Sequence, residues 1–158
     1  MYLENYSLLY CRIHKAASSS WSRIFFEASN MTVPEDGWLH GADKIFRPKE
    51  NVSLKELFAN STVSFVFVRH PFERLVSVYR DKFELATETE MGQLFFKYYS
   101  AQILDLPESS IRTEEKIPMP SFSQFVTYLL DFSELDYNDH WLPYWLHCKF
   151  CDHKSVEM

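Results

Sequence analysis

Six consecutive residues, Val63 to Val68 (VSFVFV), are nearly all β-branched or aromatic and stand between Asn-Ser-Thr and Arg-His-Pro. So short an apolar run, bounded by polar and proline punctuation, predicts a strand. Its near-continuous apolarity fits the centre of a parallel sheet covered on both faces. Pro71 then suits the first turn of a helix, where its missing N–H costs nothing. In that helix Phe72, Leu75, Val76, Tyr79 and Phe83 make one apolar stripe, with Glu73, Arg74, Ser77, Arg80 and Asp81 off it.

The same pattern occurs earlier in the chain. Tyr6 to Ile13 (YSLLYCRI) predicts a buried strand, and the polar stretch His14 to Ser20 follows it. Trp21, Ile24, Phe25 and Ala28 recur at helical spacing, with the preceding serines as candidate N-caps. Two strand–loop–helix units predict an α/β fold with a parallel sheet flanked by helices. Met31 to Glu50 has no sustained period and reads as a surface excursion, and Val52 to Asn60 can hold a short helix. Helices are expected over Gly92 to Leu104 and Ser121 to Phe132, separated by a Pro107 to Pro120 loop. The aromatic stretch Asp139 to Cys151 has no clear period, no repeat is visible, and the 158 residues are expected to form one domain.

Composition narrows the functions. Three glycines stand where average usage of about 7% gives roughly 11, and neither a G-x-x-x-x-G-K-S/T nor a G-x-G-x-x-G motif occurs. A net charge of −6 argues against nucleic-acid binding through a general positive field, so an anionic ligand must be held locally. Cys11, Cys148 and Cys151 allow at most one bridge. No apolar run approaches the roughly 20 residues of a membrane span, and no signal peptide is visible. Yet four of five asparagines, Asn5, Asn30, Asn51 and Asn60, begin N-x-S/T sequons, where chance gives about 0.7. That excess points to a secretory lumen and to an anchor absent from this sequence.

In open α/β sheets ligands bind beyond the carboxyl ends of strands, where loops enter helix N-termini. His14 to Trp21 (HKAASSSW) offers one lysine, small residues that let backbone approach a ligand, and three hydroxyls at a helix start. Arg69 stands at the end of the second strand, with Arg74 and Ser77 one and two turns into its helix. These are parts for gripping two phosphates.

The same residues resemble the Golgi-type carbohydrate sulfotransferases that use 3′-phosphoadenosine-5′-phosphosulfate (PAPS). The 5′-phosphosulfate motif of that family matches Cys11-Arg12-Ile13-His14-Lys15 through Ser18, Ser19, Ser20 and Trp21, with His14 where the family has proline. The 3′-phosphate motif matches Phe67 to Phe83 (FVRHPFERLVSVYRDKF) almost unbroken. A weaker element matches Asp139-His140-Trp141-Leu142-Pro143 with Cys148 and Cys151. The subgroup resembled sulfates N-acetylgalactosamine 4-hydroxyls or glucuronic acid, and the motifs span nearly the whole chain.

The resemblance implies a P-loop-like sulfotransferase sheet, PAPS as donor without a metal, a glycan as acceptor, and a Golgi lumenal domain of a type II membrane protein. It implies that Lys15 stabilises the leaving phosphate and that His14, Ala16, Ala17, Ser18, Ser19, Ser20 and Trp21 line the 5′ site. Arg69 and Ser77 are implied to hold the 3′-phosphate. A general base is required, for which His140 ranks first, His40 second and Glu35 third. Arg74 and Arg80 have helical-distance acidic neighbours and read as structural, and a disulfide is favoured over a metal for the cysteines. Two rival classes stand beside this reading. One is a shortened, inactive sulfotransferase-like binding domain; the other is a P-loop kinase or nucleotidase, against which the missing Gly-rich loop argues.

Overall fold

A computed structural model describes residues 1–34, 38–48, 52–85, 90–112, 116–131 and 138–147. They fall into two compact units, Met1–Arg69 with Leu142–Met158, and His70–Trp141.

The first unit is built on a three-stranded sheet in the order β1-β2-β3, with β1 at Tyr2–Leu3, β2 at Leu8–Cys11 and β3 at Val63–Val66. β2 and β3 pair in parallel, Leu8 opposite Val63 and Cys11 opposite Val66, as the two strand–loop–helix units predict. β1 is antiparallel to β2, so the described sheet is mixed rather than purely parallel. The reason is the connection: one 3-10 turn, Glu4–Tyr6, ending on Ser7 at φ 48°, is too short for a parallel crossover.

Helix α1 (Ser18–Ala28) follows β2 and lays Phe25 and Phe26 on the sheet. Tyr10 stacks on Phe65 at 5.0 Å across the parallel pair, and Phe46, at the end of the short helix α2 (Ala42–Ile45), meets Phe25 and Phe26 edge-on. These rings with Leu3 and Leu39 form the core of the unit. Helix α3 (Leu54–Asn60) is begun by a capping box, in which Ser53 and Glu56 satisfy each other's backbone N–H groups.

β3 departs from expectation. It lies at the edge of the described sheet and not at its centre, and Val63 is 49% exposed. No strand among the described residues pairs with its outer edge; Phe65 packs on Tyr10, Trp21 and the core of the unit, while Val63 and Val66 stay exposed.

The second unit is helical. α4 (Pro71–Tyr79) runs into a π-turn, Arg80–Glu84, closed by the Leu85 N–H donating to the Arg80 carbonyl. α5 (Glu90–Ile103), the single turn α6 (Ser109–Arg112) and α7 (Phe122–Leu130) follow. α6 lies inside the stretch expected to be loop. Val78, Tyr79, Phe83, Phe125, Leu129 and Trp141 make the core, and Tyr79 Oη donates to the Pro120 carbonyl at 2.8 Å. The buried face of α4 is rotated from the expected stripe. Phe72 is 74% exposed whereas Arg74 is 5% exposed, its guanidinium donating to the Asp139 carbonyl.

Candidate functional site

The His14 to Ala17 loop begins where β2 ends. Ile13 and Ala16 are buried and root the loop, and the Ala16 N–H donates to the Ile13 carbonyl at 3.3 Å. Lys15 at φ 64° and Ala17 at φ 60° both take the left-handed conformation. In non-glycine residues this costs about 1–2 kcal/mol each, and such local strain is concentrated where backbone geometry serves a site. Residues of alternating hand turn successive N–H groups toward one side of a loop, an arrangement that binds anions.

Ala17 is also the N-cap of α1 and makes no side-chain cap. The expectation that the serines cap this helix is therefore corrected: the left-handed Ala17 ends the loop one residue early, and Ser18, Ser19 and Ser20 form the first turn. The first internal bond is the Trp21 N–H to the Ala17 carbonyl, which leaves the preceding N–H groups directed out of the helix end. The helix dipole adds positive potential there. Ser19 and Ser20 are exposed, His14 and Lys15 half-buried, and Ser18 is buried with its carbonyl accepting from Ser22 Oγ at 2.9 Å. Trp21 packs on Phe65 at 4.7 Å and Phe67 at 5.0 Å, which fixes the start of α1 against β3.

Arg69, just beyond β3, belongs to the same unit, with its side chain in an exposed position. Its backbone is held by Tyr144, a residue that sequence reasoning missed. Tyr144 Oη donates to the Arg69 carbonyl at 2.6 Å and accepts from the Arg69 N–H at 3.1 Å. The Tyr144 ring packs on Cys11, Ile13 and Ala16, so one side chain ties the loop after β2 to the loop carrying Arg69. Cys11 is disulfide-bonded, in accord with the preference for a bridge; Cys148 and Cys151 lie outside the described residues. Arg12, next along the strand, pairs with Asp43 at 3.1 Å.

In the second unit Ser77 is half-buried on α4. Arg74 is committed to Asp139 and Arg80 pairs with Glu84 at 3.3 Å, which fits their structural reading. His140 stands edge-on to Phe95 with ring centroids 5.6 Å apart, and its backbone N–H donates to Asn138 Oδ1. Beside it Tyr99, whose hydroxyl accepts from Asn138 Nδ2, has its pKa raised by burial. His40 lies in the 3-10 turn Trp38–Gly41, and Glu35 is outside the described residues. No group of three His, Cys, Asp or Glu able to hold a metal occurs among the described residues.

A left-handed loop from a parallel strand into an uncapped helix, with the family motif's lysine in it, is what the comparisons with known proteins bear on. The model of the sulfotransferase family matches residues 1–157. The chain belongs to the sulfotransferase family. Carbohydrate sulfotransferase 14 of Homo sapiens is 30% identical over 94% of this chain and 39% of its own length. Carbohydrate sulfotransferase 11 of Rattus norvegicus is 30% identical over 94% of the chain and 44% of its own length. Carbohydrate sulfotransferase 12 of Xenopus laevis is 26% identical over 94% and 41%. The sulfotransferase chain thus spans about two fifths of these relatives. No solved structure matches it.

Proposed function

We propose that this sulfotransferase chain carries the donor-binding part of a carbohydrate sulfotransferase, which moves the sulfonate of PAPS to a glycan hydroxyl. The observation that carries the reading is the loop of Lys15 to Ala17, left-handed at both ends, that delivers the first-turn N–H groups of α1 beyond the carboxyl end of β2. Backbone N–H groups, serine hydroxyls and one lysine are a donor set suited to an anionic phosphosulfate. The P-loop-like character of the fold belongs to this proposal.

In the reaction the acceptor hydroxyl oxygen attacks sulfur, and the bond from sulfur to the oxygen of the 5′-phosphate breaks. The electron pair leaves on 3′-phosphoadenosine-5′-phosphate, and the hydroxyl proton passes to a base. The protein has little covalent work to do, as in phosphoryl transfer; it aligns the groups and stabilises charge on the leaving oxygen. Lys15 is proposed for that oxygen, with Ser18, Ser19 and the Ala17 and Ser20 backbone on the 5′-phosphate, flanked by His14, Ala16 and Trp21. Arg69 and Ser77 take the 3′-phosphate, as the match over Phe67 to Phe83 supports. His140 is the proposed base, with His40 behind it. The names of the relatives support a glycan acceptor, and a lumenal location in the Golgi accords with the sequons.

The test is transfer of labelled sulfonate from PAPS to a glycosaminoglycan panel by the whole protein. Incorporation that falls at least a hundredfold in Lys15→Ala supports the reading. Incorporation that is unchanged in that variant overturns the assignment of Lys15.

A further inference from the structure

The sequons are not absorbed by sulfonate transfer, and the fold gathers them. Asn5 lies in the turn that leads into β2, and Asn60 is the last residue of α3, two residues from β3. Their sequon hydroxyl residues are neighbours: the Thr62 N–H donates to the Ser7 carbonyl at 2.8 Å, one step before the Leu8–Val63 pair. Asn30 follows the C-terminal end of α1, at φ 53°. α1 leaves the donor loop and ends at a cleft of about 450 Å³ lined by Asn5, Ser29 and Asn60. Three sequons therefore share one end of the first unit; Asn51, the fourth, lies outside the described residues.

This is the end away from the donor loop. Asn5 and Asn60 precede the two parallel strands, whereas Lys15 and Arg69 follow them, and four residues of strand span about 13 Å. The eleven residues of α1 likewise separate Ser18 from Ala28 by about 15 Å.

The four described asparagines divide in the same way. Asn5, Asn30 and Asn60 are exposed, and among the described residues no hydrogen bond holds their side-chain amides. Asn138 begins no sequon and is built into the second unit, its amide donating to Tyr99 Oη at 2.8 Å and its carbonyl accepting from the His140 N–H. An amide that carries a bulky glycan must reach solvent in the folded chain; the three sequon residues are exposed, whereas Asn138 is half-buried and held by its hydrogen bonds.

We propose that Asn5, Asn30 and Asn60 are N-glycosylation sites forming one glycan-covered end of the first unit, opposite its donor loop. In the modification each amide nitrogen bonds the anomeric carbon of a lipid-diphosphate-linked oligosaccharide in place of one N–H proton. The sugar–phosphate bond breaks, the lipid diphosphate departs with the electron pair, and nothing is oxidised or reduced. Ser7, Thr32 and Thr62 supply the hydroxyls that the acceptor rule requires.

The test uses the protein expressed through the secretory pathway of eukaryotic cells. Amide-cleaving deglycosylation should convert each of the three asparagines to aspartate, read by peptide mass spectrometry. Asn→Gln at each position, and separately Ser7→Ala, Thr32→Ala and Thr62→Ala, should each remove one step of gel mobility. An unconverted asparagine at any of the three overturns the proposal, as does a mobility unchanged in both variants of a site. The mass readout does not depend on nucleotide binding, so its failure is distinct from failure of the donor-site reading. In material that binds 3′-phosphoadenosine-5′-phosphate, affinity within twofold before and after deglycosylation supports the opposite placement, and a tenfold change contradicts it.

Discussion

Tyr144→Phe tests whether the two strand-end loops of the first unit are held together as described. The substitution keeps the ring on Cys11, Ile13 and Ala16 and removes only the hydroxyl that donates to the Arg69 carbonyl at 2.6 Å and accepts from its N–H at 3.1 Å. Each such bond contributes a net 0.5–1.5 kcal/mol or so. Arg69 is exposed, so water replaces part of the loss, and the unfolding free energy should fall by about 1–2 kcal/mol. If Arg69 binds donor, holding its backbone again on binding should cost about 1 kcal/mol, roughly a fivefold weaker affinity. Urea unfolding and calorimetric titration with 3′-phosphoadenosine-5′-phosphate read the two effects. Tyr144→Ala, which also strips the ring from Cys11, Ile13 and Ala16, should be several-fold worse in both. Wild-type stability and affinity in Tyr144→Phe would refute the positioning role.

Three further outcomes are expected. Ala17→Gly should raise stability by up to about 1 kcal/mol, because glycine takes the φ of 60° without the Cβ clash; a thermal melt checks it, and a lowered midpoint contradicts it. Tyr10→Phe should stabilise by about 1 kcal/mol, since the Tyr10 hydroxyl is buried with no hydrogen-bond partner among the described residues. Burial pushes the Tyr10 pKa up to about 12, so its contribution is present below about pH 10, its unfolded value, and is lost between pH 10 and 12. Burial also raises Tyr79 and Tyr99, so ultraviolet titration should show a late-ionising group of tyrosines that is smaller by one in Tyr10→Phe. Glu56, whose pKa the Ser53 backbone and hydroxyl bonds lower from 4.5, should support α3 above that pH and lose its support as pH falls through the lowered value; carboxyl NMR titration reads it, and an ordinary value counts against the capping box.

The parallel pair and its helices were legible because local signals agree. Val63 to Val66 and Leu8 to Cys11 carry strand composition, Pro71 marks the start of α4, and the Ser18 to Ala28 stripe is periodic. What is not legible is either very short or non-local. β1 is two residues long and has no period to detect, and its pairing depends on a single turn. The face of α4 was misjudged because hydrophobicity placed Phe72 inside and Arg74 outside. The buried arginine is satisfied by the Asp139 carbonyl, 65 residues away, which no helical pattern encodes. Tyr144 escaped for the same reason, since its partner Arg69 lies 75 residues earlier. Nor does composition show that Lys15 and Ala17 adopt the conformation normally left to glycine. Scarcity of glycine argues against a tightly curled loop after β2, yet Lys15 and Ala17 curl it at a cost in backbone strain.

Donor binding is the central claim, and the most direct measurement is calorimetric titration of the folded, glycosylated protein with 3′-phosphoadenosine-5′-phosphate, with magnesium ATP as competitor and Arg69→Ala as control. Micromolar binding of the bisphosphate, at least tenfold weaker in Arg69→Ala and unaffected by magnesium ATP, is the predicted result. Binding of neither nucleotide by protein shown to be folded, or equal binding by Arg69→Ala, would contradict it.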